Sequence, residues 1–214
     1  MTKQEKISGI IQALKEAYPE PVCALRYAED YQLMIAVRLS AQCTDERVNQ
    51  VTPGLFARFP SLEAFAEADV AEVENLVHTC GFYRQKARDI VLACRMLLTN
   101  YGGKVPNSME ELLRLPGVGR KTANLLLGDL YQVPGAVVCD THCIRISNRL
   151  GLAVGKEPEK VETQLRAILP AEESSDFCHR IVLHGRALCT ARSPRCASCP
   201  LAPWCDYFHK GTEN

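Results

Sequence analysis

Apolar positions recur with helical spacing along nearly the whole chain, and no segment keeps the strict alternation of a half-buried strand. Ile7, Ile10, Ile11, Leu14 and Tyr18 form one stripe, and Thr2 and Glu5 ahead of it have the spacing of a capping box. Residues 31–41 are almost wholly apolar, the pattern of a buried helix. Val70, Val73, Leu76 and Val77 make a stripe that stops at Gly81. Ala87, Ile90, Val91, Cys94, Leu97 and Leu98 make another, which stops at Gly102-Gly103. Glycine suits such C-terminal breaks. Ser108 and Glu111 repeat the capping-box spacing, and the pattern predicts further helices over 119–131, 141–150, 158–169 and 175–188. The expected fold is all-α, with about ten helices. No long linker, low-complexity tract or repeat of 20–50 residues interrupts it.

The chain has 214 residues, 47% of them apolar, enough for one large domain or two small lobes. No run approaches the roughly 18 apolar residues of a membrane span. The N-terminus has no apolar core of a signal peptide, so a cytoplasmic protein without membrane partners is expected. There are eleven cysteines. Their odd number, in a reducing compartment, argues against a disulfide framework. Seven (Cys23, Cys43, Cys80, Cys94, Cys139, Cys143, Cys178) are scattered singly and read as small core residues. The other four crowd into Cys189–Cys205. Net charge is zero, yet three windows lack any acid: 112–128 with Arg114, Arg120 and Lys121; 141–156 with Arg145, Arg149 and Lys156; 177–205 with Arg180, Arg186, Arg192 and Arg195. Such windows are either ordinary solvated surface or local patches on which a polyanion can dock.

Leu115-Pro116-Gly117-Val118-Gly119 lies between two helical stretches and has the composition of a tight turn. The second helix opens there with free N–H groups, so Gly117, Val118 and Gly119 are candidates to clamp a backbone phosphate. A ligand-free turn between packed helices is the alternative. Lys121 falls in the first turn of that second helix, where the dipole and Arg120 both favour a neutral amine. A neutral amine is what a lysine nucleophile requires; a lysine that merely contacts phosphate is the other reading. Asp140 stands just before a helical stretch and suits an N-cap. A capping carboxylate that also faces a cleft can stabilise positive charge on a sugar.

Cys189-x6-Cys196-x2-Cys199-x5-Cys205 places four thiols in one short loop. Zinc sites generally use two close pairs with a longer gap, and here there is only one close pair. The spacing is compatible with an iron–sulfur cluster and does not by itself choose between iron and zinc.

Residues 115–124, Asp140-Thr141-His142, Leu39-Ser40-Ala41-Gln42, His184-Gly185-Arg186 and the cysteine spacing together resemble the helix-hairpin-helix DNA glycosylase superfamily, in its bifunctional endonuclease III branch. The resemblance runs from about residue 25 to Cys205. It implies a two-lobed all-α fold, with residues 24–134 as a six-helix lobe containing the hairpin. Residues 1–23 and 135–214 would form the lobe that carries a C-terminal [4Fe–4S] loop. It implies Lys121 as the nucleophile on C1′ of a damaged nucleotide and Asp140 as its assistant, facing each other across the interlobe cleft. It implies Cys189, Cys196, Cys199 and Cys205 as cluster ligands. Gln42 and Phe82 would enter the duplex as the target base is flipped out, and Arg192 and Arg195 would meet the DNA backbone. Phe82 stands where the family often has leucine, and Cys139 where an aliphatic residue is usual. The implied activity is excision of oxidised pyrimidines from duplex DNA by a nucleoid-associated monomer, followed by β-elimination. A monofunctional mismatch glycosylase usually lacks lysine at the position of Lys121. A non-catalytic DNA-binding module has no need of Lys121 and Asp140 together.

Overall fold

A computed structural model describes residues 2–212. Its described residues contain twelve α-helices, three short 3-10 turns and no strand. The chain divides into two compact units, one formed by Met1–Val22 with Gln132–Asn214 and the other by Cys23–Tyr131. No helix among the described residues is long and apolar enough to cross a membrane.

The Cys23–Tyr131 unit is built around α2 (Asp30–Ser40), whose Leu33, Met34, Ile35, Ala36, Val37 and Leu39 are all buried. Burying each of the larger of these side chains is worth about 1.5–3 kcal/mol, which makes this helix the centre of the unit. It packs on α3 (Asp45–Arg58), α6 (Tyr83–Tyr101) and α8 (Arg120–Tyr131). Two shorter helices, α4 (Leu62–Glu67) and α5 (Val70–Val77), lie against α6. Phe65 gathers the rings of Tyr31, Phe56 and Phe59 around it at centroid distances of 5.2–6.2 Å. The stripe from Ala87 to Leu97 is buried as its spacing implies, and α6 ends at Gly102 in the left-handed conformation. Four-residue α7 (Met109–Leu112) leads into the hairpin; the Ser108 hydroxyl caps it by accepting the Glu111 N–H.

The other unit contains α1 (Lys3–Ala17), α9 (Thr141–Leu150), α10 (Pro158–Arg166), α11 (Ser174–Ala187) and α12 (Asp206–Thr212). The Thr2–Glu5 capping box forms in full. Helix α11 packs on both α1 and α9, and α12 packs on α9. Lys6 pairs with Asp206 at 2.5 Å, and Lys15 pairs with Glu173, so the first helix is tied to the segments flanking α11. Cys80, Cys94, Cys139, Cys143 and Cys178 are buried as expected, whereas Cys23 and Cys43 are half-buried. A hydrogen bond to Cys143, then burial, raises the Cys139 thiol well above its ordinary range, which suits inert packing rather than reactivity.

Candidate DNA interface and cluster site

The hairpin folds as its sequence implies, through a Val118 N–H bond to the Leu115 carbonyl and a Gly119 carbonyl that accepts from Ala123. Its two glycines serve different ends. Gly117 has φ +75, and a Cβ there would stand 2.5 Å from Arg38 Nε. Only glycine satisfies both the backbone and the neighbour. Gly119 has no positive φ, and a Cβ on it would meet nothing within 4 Å. No contact with the described residues therefore demands glycine at 119, and the space above it is open.

Lys121 is the second residue of α8 and is exposed. Asp140 is the N-cap of α9: its Oδ1 accepts the Cys143 N–H at 2.7 Å. Its Oδ2 makes no hydrogen bond with the described residues. The capping reading is thus realised, and one oxygen remains available to a ligand.

Gln42 and Phe82 are two of the three non-glycine residues with positive φ among the described residues, at 54° and 51°. Such conformations are uncommon, mildly strained and concentrated at functional sites. Phe82 is 69% exposed, an unusual position for a large apolar side chain, and Gln42 is exposed as well. The two loops adjoin, since a Cβ on Gly81 would lie 3.8 Å from the Gln42 carbonyl.

In the other unit, Cys189, Cys196, Cys199 and Cys205 line one small pocket together with Arg149, Pro194 and Tyr207. No three ligating side chains among the described residues converge as they would around a single metal ion. The thiols instead ring an open volume. Burial, then backbone N–H groups and neighbouring thiols, sets the character of the two more enclosed sulfurs. Burial and the other cysteines raise Cys199 and Cys205, while the Leu201 N–H to the first, and the Phe208 and Tyr207 N–H groups to the second, pull downward. Those donors would stabilise thiolate sulfur, so the pocket fits a group held by four thiolates.

The sequence reading missed two residues here. Arg149 Nη1 donates to Cys189 Sγ at 3.2 Å and to the Thr190 carbonyl at 2.8 Å, and Nη2 donates to the Ala191 carbonyl at 2.9 Å. His184 is buried, which pushes its pKa down to about 4, and its Nε2 lies 3.5 Å from Cys199 Sγ. The Tyr18 hydroxyl sits 3.2 Å from Nδ1, so a neutral ring that accepts from Tyr18 has Nε2–H free for the sulfur. The acid-free window and the His184-Gly185-Arg186 triplet held the signal for both. Arg192 is exposed; Arg195, also exposed, bonds back to the Ala187 carbonyl at 2.6 Å.

A tight hairpin at a helix N-terminus with an exposed lysine beside it suits a nucleic-acid-binding protein, and the four-thiol pocket suits a cysteine-held metal cluster. The family described as the HhH-GPD superfamily of base excision DNA repair proteins matches residues 35–171, and the iron–sulfur binding domain of endonuclease III matches residues 189–205. Endonuclease III from Synechocystis sp. is 46% identical over 204 residues, covering 95% of this chain and 93% of the relative. That from Escherichia coli K12 is 40% identical, covering 98% and 99%. A trapped endonuclease III–DNA covalent intermediate superposes with a TM-score of 0.90 at 40% identity, covering 99% of each chain. A non-covalent endonuclease III–DNA complex gives 0.91 at 40% identity over all of both chains. The chain belongs to the endonuclease III family of helix-hairpin-helix base-excision DNA repair proteins. It is a DNA glycosylase and AP lyase that carries a [4Fe–4S] cluster.

Proposed function

We propose that this enzyme excises oxidised pyrimidines, thymine glycol among them, from damaged duplex DNA. Lys121 and Asp140 would be its catalytic pair, and Cys189, Cys196, Cys199 and Cys205 its cluster ligands. The observation that carries the reading is an exposed lysine in the first turn of the helix that the hairpin opens. The Gly119 side of that hairpin has room for a phosphate, whose charge the helix N-terminus favours. A phosphate held there brings the sugar of the damaged nucleotide within reach of Lys121. The amine adds to C1′ as the N-glycosidic bond breaks, and the base departs with a proton. The sugar ring opens to an imine on Nζ, the acidified C2′ proton is removed, and the C3′–O bond breaks by β-elimination. Asp140 Oδ2, not engaged by the cap, stabilises the positive charge that develops on the sugar. Lys121 and Asp140 belong to different units, 24–134 and 1–23 with 135–214 in this reading, so both must reach one nucleotide once DNA is bound.

Gln42 and Phe82 fill the gap left by the extrahelical base, and their exposure and left-handed backbone support that role. Gly117, Val118 and Gly119 hold the strand on one unit; Arg192 and Arg195 meet phosphates on the other. Four iron–thiolate bonds would cross-link residues 189–205 into a rigid basic loop, which is the chemistry the cluster supplies. The enzyme works as a monomer in the cytoplasm, at the nucleoid.

The test is excision from a panel of duplexes. Release of thymine glycol and 5-hydroxycytosine, followed by nicking, with no action on a guanine–thymine mismatch, supports the reading. Release of mispaired thymine without nicking would favour a monofunctional mismatch enzyme.

A further inference from the structure

Three loops of the Cys23–Tyr131 unit carry the proposed DNA contacts: that of Gln42, that of Phe82 and the hairpin at 116–119. Beneath them lie charged side chains that the chemistry does not use. Lys86 is 1% exposed, which is an expensive place for an ammonium unless its donors are satisfied. Its Nζ donates to the Leu39 carbonyl at 2.8 Å and also to the Cys80 carbonyl. Leu39 lies in the last turn of α2, shortly before Gln42, and Cys80 lies just before Phe82. One cation therefore joins the bases of both loops. Residues held at positive φ persist where the surroundings over-determine them. Lys86 supplies that constraint for two such residues at once.

One turn further along α6, Asp89 Oδ2 accepts from Arg38 Nε at 2.8 Å and from Nη2 at 2.6 Å, and its Oδ1 accepts from Gln85 at 2.8 Å. The two side chains of the pair are 18% and 10% exposed. Gly117 rests directly on them, since a Cβ there would stand 2.5 Å from Arg38 Nε and 2.8 Å from Asp89 Oδ2. Lys86 and Asp89 are three apart on α6 and share a face, and they bond to adjacent residues of α2. A largely buried ion pair is weak evidence of stability, but its directional bonds fix register.

We infer that Lys86 and the Arg38–Asp89 pair form one polar platform of positioning residues. Lys86 clamps the Gln42 and Phe82 loops to each other, and the ion pair seats the hairpin at the same level. The inference rests on the reading of these loops as DNA contacts. Its consequence is a division of labour. Loss of the Lys86 clamp impairs base flipping, whereas loss of the pair loosens the phosphate grip.

The experiment uses the holoenzyme with two substrates, a thymine glycol duplex and a preformed abasic duplex, each with 2-aminopurine opposite the lesion. Lys86→Met is expected to lower kcat on thymine glycol about tenfold and to abolish the 2-aminopurine signal, while the abasic duplex is cut within about twofold of normal. Arg38→Leu/Asp89→Asn, which removes both charges together, is expected to raise KM on both substrates about tenfold with little change in kcat. Activity on both substrates that falls only in parallel with the folded fraction would overturn the inference, as would normal kinetics in both variants. Should Lys86→Met fail to fold, the charge-pair variant still decides for the hairpin seat. Gln42→Ala and Phe82→Ala with normal kinetics would show instead that the underlying loop assignment had failed.

Discussion

The two hairpin glycines allow a sharp test, because the structure assigns them opposite reasons for being glycine. In Gly117→Ala the new residue must adopt φ +75, and its methyl group approaches Arg38 Nε to 2.5 Å and Arg38 Cδ to 2.7 Å. The left-handed backbone alone costs about 1–2 kcal/mol for alanine. Arg38 cannot swing aside freely, because it is bonded to Asp89, and separating a largely buried pair costs up to about 3–5 kcal/mol. Partial separation gives an expected loss of about 2–4 kcal/mol. Gly119→Ala meets open space at an ordinary φ, so its stability should change by less than about 1 kcal/mol and can rise as the unfolded chain loses freedom. Its methyl group instead intrudes where the proposed phosphate sits. Urea denaturation of both holoproteins, alongside binding to an abasic-analogue duplex, separates the two effects. Gly117→Ala should shift the denaturation midpoint, whereas Gly119→Ala should keep the midpoint and weaken binding at least about tenfold. Equal midpoints for the two variants, or full affinity in Gly119→Ala, would refute the assignment.

Asp140→Ser retains an N-cap acceptor for Cys143 but no carboxylate, so thermal stability should hold within about 1 kcal/mol while base excision collapses. Asp140→Ala should lose both, and differential scanning calorimetry paired with a nicking assay distinguishes them. Arg149→Met removes three bonds to residues 189–191, and the visible absorbance of its cluster should bleach faster than wild type under a chelator, with normal base excision before bleaching. Phe82→Gly relieves a left-handed backbone and discards an exposed ring, so stability should stay level or rise by about 1 kcal/mol as excision falls, read from denaturation and single-turnover rates.

The strong stripes in the sequence became helices: residues 30–40, 83–101 and 120–131 follow their apolar patterns closely, and Gly102 ends its helix in the left-handed form. The helix Asp45–Arg58 left no comparable trace, because Pro53 lies inside it and only Val48, Thr52 and Leu55 are buried. Leu62–Glu67 is too short for a period to register. The helix starting at Pro158 ends at Arg166 although Leu169 is also buried, since burial continues past the end of the helical hydrogen bonding. At the site, the cysteine spacing carried its own message, and the four thiols do line one pocket. The positive φ values of Gln42 and Phe82 had no signal, because neither residue type announces that conformation. Lys86, Arg38 and Asp89 read along the chain as ordinary charged helix positions. Only tertiary packing brings them beneath the loops.

The central claim is that Lys121 forms the covalent bond to DNA. The most direct measurement is borohydride trapping on a thymine glycol duplex with Lys121→Ala alongside, both proteins being checked for an intact cluster by absorbance. The account predicts a trapped protein–DNA adduct for the wild type, with Lys121 as the modified residue by peptide mass mapping, and none for the variant. An adduct of equal yield in Lys121→Ala, or base release by both proteins with no adduct in either, would contradict it.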